Sequence, residues 1–141
     1  EEVGRLGGDW PENRSDMPWG QREILPGRGE PRDEALRADY QRLIAIRRAH
    51  PALWRGAHEK LVAEGDLLVF LQKDPKSDDA VVVAINRGST PAVARFAAPE
   101  AWTGRSVTDV WNGTAVPLTT GTIETTVESK AARILARDAR H

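Results

Sequence analysis

The spacing of apolar residues divides the chain into three stretches. Residues 1–30 follow neither a helical nor a strand period, and six glycines, three prolines and two tryptophans are scattered among them. The next stretch places apolar side chains at i, i+4, i+7 and i+8, which is one stripe of an amphipathic helix: Leu36, Tyr40, Leu43 and Ile44. From residue 59 onward, short runs rich in Val, Thr, Ile and Leu alternate with turn residues. The pattern predicts a loop, one helix and then a region of β-strands.

Start and stop signals bound the helix at residues 33–49. Pro31 and Asp33 are typical of a helix start, and Pro51 cannot continue a helix. Arg47 and Arg48 stand in the last turn, where cations complement the helix dipole. A single helix cannot bury its own apolar stripe. We therefore expect the helix to dock on the β region or on a part that this chain lacks.

The β region predicts an antiparallel sandwich or barrel, because its strands are short, closely spaced and not separated by helices. Asn112-Gly113 predicts a hairpin with a type I′ turn. Pro117 marks a strand end or a sheet edge. Two runs, 67–71 and 81–85, are apolar without alternation and predict central strands covered on both faces. The expected strands are 59–64, 67–73, 80–86, 91–97, 105–111, 114–118, 121–127 and 131–137.

Composition removes several classes of function. With 141 residues the chain suits one domain plus a piece of another. The absence of cysteine excludes disulfides, a cysteine nucleophile and thiolate-bound metals, and a net charge of -1 argues against a nucleic-acid partner. The longest apolar run, residues 67–71, is far shorter than the ~20 residues that span a bilayer. The three histidines lack metal-ligand spacing, so no metal or cofactor is expected; His50 suits a helix-capping role.

Three segments resemble the α-amylase family of glycoside hydrolases (family 13), above all its neopullulanase and cyclomaltodextrinase branch. Residues 2–19, with Gly7-Gly8-Asp9-Trp10-Pro11-Glu12-Asn13-Arg14, are similar to the stretch after the last strand of the family's (β/α)₈ barrel. Residues 40–53 are similar to the last barrel helix and its exit, and residues 79–87 to a strand of the C-terminal β-sandwich, domain C. The resemblance implies that residues 1–58 end the barrel and that residues 59–141 form domain C.

The resemblance also implies an activity for a larger parent enzyme. The family's catalytic Asp, Glu and Asp would lie before residue 1, and the chain starts with Glu1 rather than Met, so we expect a missing N-terminus and no catalytic residue here. The parent would carry out retaining hydrolysis, or transfer, of α-glucosidic bonds in maltodextrins, cyclodextrins or pullulan. That chemistry needs two carboxyl groups about 5–5.5 Å apart. The expected partners are an α-glucan oligosaccharide and the remainder of the barrel, and the chain alone should be inactive.

Substrate-binding candidates lie in the loop around residue 10. Carboxylates and guanidinium groups bond sugar hydroxyls, and an aromatic face stacks on a pyranose ring; a solvated surface loop is the alternative. The family often has Asp-Pro-x-Asn-Arg here, so Arg14 matches the family's substrate-binding arginine directly. Trp10 occupies the family's Asp position and either stacks on sugar or anchors the loop. Asp9 carries over only if the loop shifts by one residue.

A second hypothesis is a free-standing β-sandwich module that binds carbohydrate through Trp102 and Trp111. Tryptophans in a sandwich more often fill its core, which weighs against this hypothesis. Trp54, directly after the helix, is expected to pack between the helix and the sandwich. A third hypothesis is a structural partner that complements a separately encoded barrel.

Overall fold

A computed structural model of the protein describes residues 33–137, and the chain divides into two compact units between Ala45 and Ile46 that are described separately. Helix α1 spans Glu34–Ala49, as predicted. Asp33 caps it, since its Oδ1 accepts a hydrogen bond from the backbone N–H of Leu36 at 2.9 Å. The side chains of Tyr40, Leu43 and Ile44, in the predicted apolar stripe, are exposed.

The second unit is a β-sandwich that follows a one-turn helix. One sheet has the strand order β1-β2-β3-β9-β5-β6, the other has the order β4-β8-β7, and all neighbours are antiparallel. The predicted antiparallel sandwich is therefore confirmed. The elements are α2 (Ala52–Arg55), β1 (Ala57–Glu64), β2 (Leu67–Lys73), β3 (Ala80–Asn86), β4 (Ala92–Ala97), a 3₁₀ turn (Glu100–Trp102), β5 (Val107–Asp109), β6 (Thr114–Val116), β7 (Leu118–Thr119), β8 (Thr122–Val127) and β9 (Ala131–Arg137).

The core lies between the two sheets and is built from alternate residues of each strand. On β2, for example, Leu67, Val69 and Leu71 point inward. They belong to one buried cluster with Trp102 of the 3₁₀ turn and with side chains from both sheets, which include Val82, Phe96, Val107, Ile123, Val127 and Leu135.

Among residues 33–137, helix α2 covers one end of the outer face of the six-stranded sheet. Helix α2 places Ala52 in a second buried cluster with Val81 and Ala136, so β3 is covered on both faces there, as its unbroken apolar run predicts. The same prediction is wrong at the other end. Leu68 and Ile85, which are cross-strand partners, are 40% and 38% exposed on the outer face.

Two turn predictions have different outcomes. Pro117 does mark a strand end: it stands between β6 of one sheet and β7 of the other, where the chain crosses the sandwich. The hairpin at Asn112-Gly113 is confirmed, because Asp109 of β5 pairs with Thr114 of β6. A type I′ turn is wrong, because only Gly113 of the two turn residues has a positive φ, at 70°. A four-residue loop closes the hairpin instead, organised by Asp109.

Candidate functional site

The predicted substrate-binding residues Asp9, Trp10 and Arg14 lie outside residues 33–137, so their roles stay predictions. Within that described range, no group of three or more His, Asp or Glu side chains could hold a metal ion. None of its helices is long and apolar enough to cross a membrane. A cluster of hydrogen-bonded polar groups lies where α1 ends, and we call residues 50–56 together with the β2–β3 loop, residues 74–79, the helix-exit junction.

Asp79 holds the start of α2. Its Oδ2 accepts a hydrogen bond from the backbone N–H of Ala52 at 2.9 Å, and its Oδ1 lies 3.1 Å from Nδ1 of His50. Pro51, the residue before α2, offers no side-chain cap, so the carboxylate of Asp79 in the β2–β3 loop caps the helix instead. His50 was expected to cap α1; instead its side chain joins the helix exit to the sandwich.

Asp74 is the buried centre of the junction. Its carboxylate accepts hydrogen bonds from Nε and a terminal nitrogen of Arg55 at 2.9 and 2.8 Å, from the hydroxyl of Ser77 and from the backbone N–H of Lys76. The Arg55 guanidinium and then the Ser77 hydroxyl hold the pKa of Asp74 well below its usual range. The hydrogen bond from Arg55 to Asp74 in turn raises the pKa of Arg55. A bidentate pair of this kind fixes the geometry as well as the charge.

Gly56 ends α2 where no side chain fits. Its backbone N–H donates to the carbonyl oxygen of Ala52 at 3.0 Å. A Cβ atom at Gly56 would lie only 2.2 Å from that same oxygen. Glycine is needed here for close backbone approach, since the φ of -71° is ordinary for any residue.

Trp54 is exposed on the surface of the junction, contrary to the expectation that it packs between helix and sandwich; 51% of its surface is accessible. The guanidinium carbon of Arg55 lies 4.8 Å from the centre of its ring. A second guanidinium, that of Arg47, donates to the carbonyl oxygen of Leu53, the residue before Trp54, at 2.6 Å.

The tryptophan pair of the binding-module hypothesis is not available for stacking. Trp102 is fully buried in the sandwich core, and its indole N–H donates to the carbonyl oxygen of Ala80 at 3.3 Å. Trp111 is half-buried, and its backbone N–H bonds the carboxylate of Asp109. A carbohydrate face formed by Trp102 and Trp111 is therefore wrong.

Residues of the described sandwich line open surface cavities, of which two are of interest here. The larger, about 480 Å³, has Arg105 as the charged residue in its lining. The smaller, about 280 Å³, includes Glu59, Lys73 and Glu100. Neither lining contains an aromatic side chain, so neither offers a face on which a sugar ring could stack.

The chain is similar to an amylopullulanase in sequence and to a cyclomaltodextrinase and an alpha-amylase in structure. No protein-family model matches it. Its sequence is 29% identical over 147 residues to an amylopullulanase of Thermoanaerobacter thermohydrosulfuricus, an alignment that covers 98% of this chain and 9% of that protein. Its structure matches a cyclomaltodextrinase with a TM-score of 0.75 and 23% identity, over 98% of this chain and 22% of that one. An Anoxybacillus alpha-amylase matches with a TM-score of 0.73 and 23% identity, over 96% and 27%.

The fold is thus one found in enzymes of the α-amylase family, and the resemblance noted in the sequence is confirmed. This chain spans 22–27% of the length of those two structures and a smaller share of the amylopullulanase. Such a share is consistent with a C-terminal domain of a longer enzyme.

Proposed function

We propose that the chain is the C-terminal part of an α-amylase-family glycoside hydrolase that acts on α-glucans. In this proposal residues 1–58 complete the catalytic barrel and residues 59–141 are domain C. The catalytic carboxylates belong to the preceding part of the parent, so the chain has no hydrolase activity by itself. The fold and the small share of its relatives' length support this assignment.

The helix-exit junction is the observation that carries the proposal. His50 and Arg55, which follow α1, are tied to Asp79 and Asp74 of the sandwich by hydrogen bonds of 2.8–3.1 Å. These bonds hold residues 50–56 on the β2–β3 loop of the sandwich. In the parent, α1 would be the last barrel helix, and the sandwich would hold the end of the barrel in place.

Exposed apolar surface supports the proposal that another part of the parent packs against this chain. Across four strands of the larger sheet, one outer row is formed entirely by apolar residues: Ala63, Leu68, Ile85 and Ala132. Helix α1 separately exposes the apolar side chains of its stripe. Contiguous apolar surface of this kind marks an interaction site, and in the proposal the remainder of the barrel covers both surfaces.

The relatives support a chemistry for the parent. One similar structure was solved with maltose and another with maltotriose. A retaining mechanism would form a covalent glycosyl-enzyme intermediate through one carboxylate while a second carboxyl group protonates the leaving oxygen. Arg14, Asp9 and Trp10 would hold a glucose unit at the end of the barrel, where barrel enzymes place substrate contacts.

The proposal is tested by a chimera in which this chain replaces the matching 22% of the cyclomaltodextrinase. The chimera should hydrolyse cyclomaltodextrin, while the purified chain should release no sugar from maltoheptaose. In the chimera, Arg14→Ala should lower kcat/KM at least about tenfold, which corresponds to about 1.4 kcal/mol. The matched control is Arg5→Ala, another arginine of the same front segment. Turnover by the chain alone would refute the proposal, and equal activity of the two variants would refute the role of Arg14.

A further inference from the structure

Trp54 is an exposed aromatic side chain on a rigid support. It belongs to α2, whose first N–H is held by Asp79, and its neighbour Arg55 is fixed by two hydrogen bonds to the buried carboxylate of Asp74. The guanidinium of Arg55 stacks on the indole ring. An aromatic side chain held in this way loses little conformational entropy when a ligand stacks on it, which favours binding.

Two guanidinium groups lie near Trp54, one on its ring and one on the backbone beside it. Arg55 uses Nε and one terminal nitrogen for Asp74, and a guanidinium has five N–H donors in all. Arg47 is anchored at the carbonyl of Leu53, the residue before Trp54. The face of the indole ring that Arg55 does not cover, together with the unused N–H groups of that guanidinium, matches a pyranose, which has an apolar C–H face and hydroxyl oxygens around its edge.

Charge favours a neutral ligand at this position. The guanidinium of Arg55 is already paired with Asp74. An anion such as a phosphate would gain little from a positive group that is neutralised by a buried carboxylate. A neutral polyhydroxyl ligand needs only the remaining donors and the ring.

From these observations we propose that Trp54, Arg55 and Arg47 form a surface site that binds an α-glucan chain by stacking of a glucose ring on Trp54. The choice of an α-glucan among neutral sugars rests on the proposed function. The site would keep the parent attached to a polymeric substrate while other segments of the same polymer are processed.

The test is a titration of the 141-residue chain with maltoheptaose. Binding is measured by calorimetry and by the shifts of the indole N–H signals in ¹H–¹⁵N spectra. Binding should saturate with a Kd of about 1 mM, the range of a small contact. Trp54→Ala should weaken it at least about tenfold, and Trp54→Phe, which keeps an aromatic face, should weaken it less. The matched control is Val93→Ala, because Val93 is 59% exposed on the smaller sheet. This control should bind as the original chain does.

Three results would overturn the proposal: no saturable binding up to about 50 mM maltoheptaose, unchanged binding by Trp54→Ala with its fold intact by circular dichroism, or equal binding of cellohexaose. The failure of the proposed function is a separate result. If the chimera is inactive while the chain binds maltoheptaose through Trp54, the surface site stands and the assignment to a hydrolase fails. If the chimera is active and Trp54→Ala has no effect on binding, only the surface site fails.

Discussion

Gly56→Ala should destabilise the sandwich strongly for a single added methyl group. The new Cβ would lie 2.2 Å from the carbonyl oxygen of Ala52, about 1 Å inside normal contact, and the atom it meets is backbone rather than a movable side chain. Relieving the clash requires α2 to shift and weakens the 3.0 Å hydrogen bond between Gly56 and Ala52. Overpacking contributes about 1–3 kcal/mol and the lost hydrogen bond about 1 kcal/mol. The free energy of unfolding should therefore fall by about 2–4 kcal/mol.

Urea unfolding followed by circular dichroism measures this change, provided that the m-value stays constant. Gly104→Ala is the control, since its φ is +67° and no heavy atom lies within 4 Å of its added Cβ. That variant carries only the left-handed backbone penalty of about 1–2 kcal/mol. The reasoning about close backbone approach would be wrong if Gly56→Ala lowered the free energy of unfolding by less than about 0.5 kcal/mol, or by less than Gly104→Ala lowers it.

Three further predictions concern buried groups. Trp102→Ala should lower the free energy of unfolding by about 3–5 kcal/mol, as measured by urea unfolding, because it empties the largest buried side chain of the core. The pKa of Asp74 is held below its ordinary value of 3.8, so the stability from its carboxylate is present above that pH and is lost as the pH falls further below it. Acid unfolding curves of Asp74→Asn should accordingly show a weaker pH dependence below about pH 4. Asn86 donates from its amide nitrogen to the carbonyls of Thr90, Val127 and Glu128, so Asn86→Ala should cost at least about 2 kcal/mol in thermal or urea unfolding. Asn86→Asp should cost more, since it places an acceptor against three acceptors.

The regular elements were predictable because their signals are local. Strands β2, β3 and β9 have the predicted bounds, since each is an apolar or β-branched run that ends at turn residues. Helix α1 begins one residue after its capping Asp33 and ends before Pro51. In these segments, the apolar period and the capping and turn residues agree with the tertiary structure, so the bounds of the elements depend little on distant residues.

The sequence does not reveal features that depend on distant partners. Helix α2 has four residues and starts after a proline, and its first N–H is satisfied by Asp79, 27 residues later. Asp74 lies between two predicted strands, and nothing in its local sequence indicates that it is the buried partner of Arg55. A core position for Trp102 was favoured only by the general behaviour of tryptophan in sandwiches, because nothing in its neighbours indicates that a 3₁₀ turn directs it into the core. The interpretation of the loop around Arg14 remains a prediction from resemblance.

The position of β9 has a consequence for how the sandwich folds. β9 is the last of the described strands in the chain, yet it lies in the middle of the larger sheet, paired with β3 on one side and β5 on the other. Until residues 131–137 are available, that sheet consists of a β1-β2-β3 meander and a β5-β6 hairpin with no strand in common. Its closure joins residues about 50 positions apart, which is the kind of contact that slows folding. During synthesis, the backbone edges of β3 and β5 would stay unpaired until the ribosome releases this strand, so a nascent chain stalled before Ala131 should be a client for chaperones.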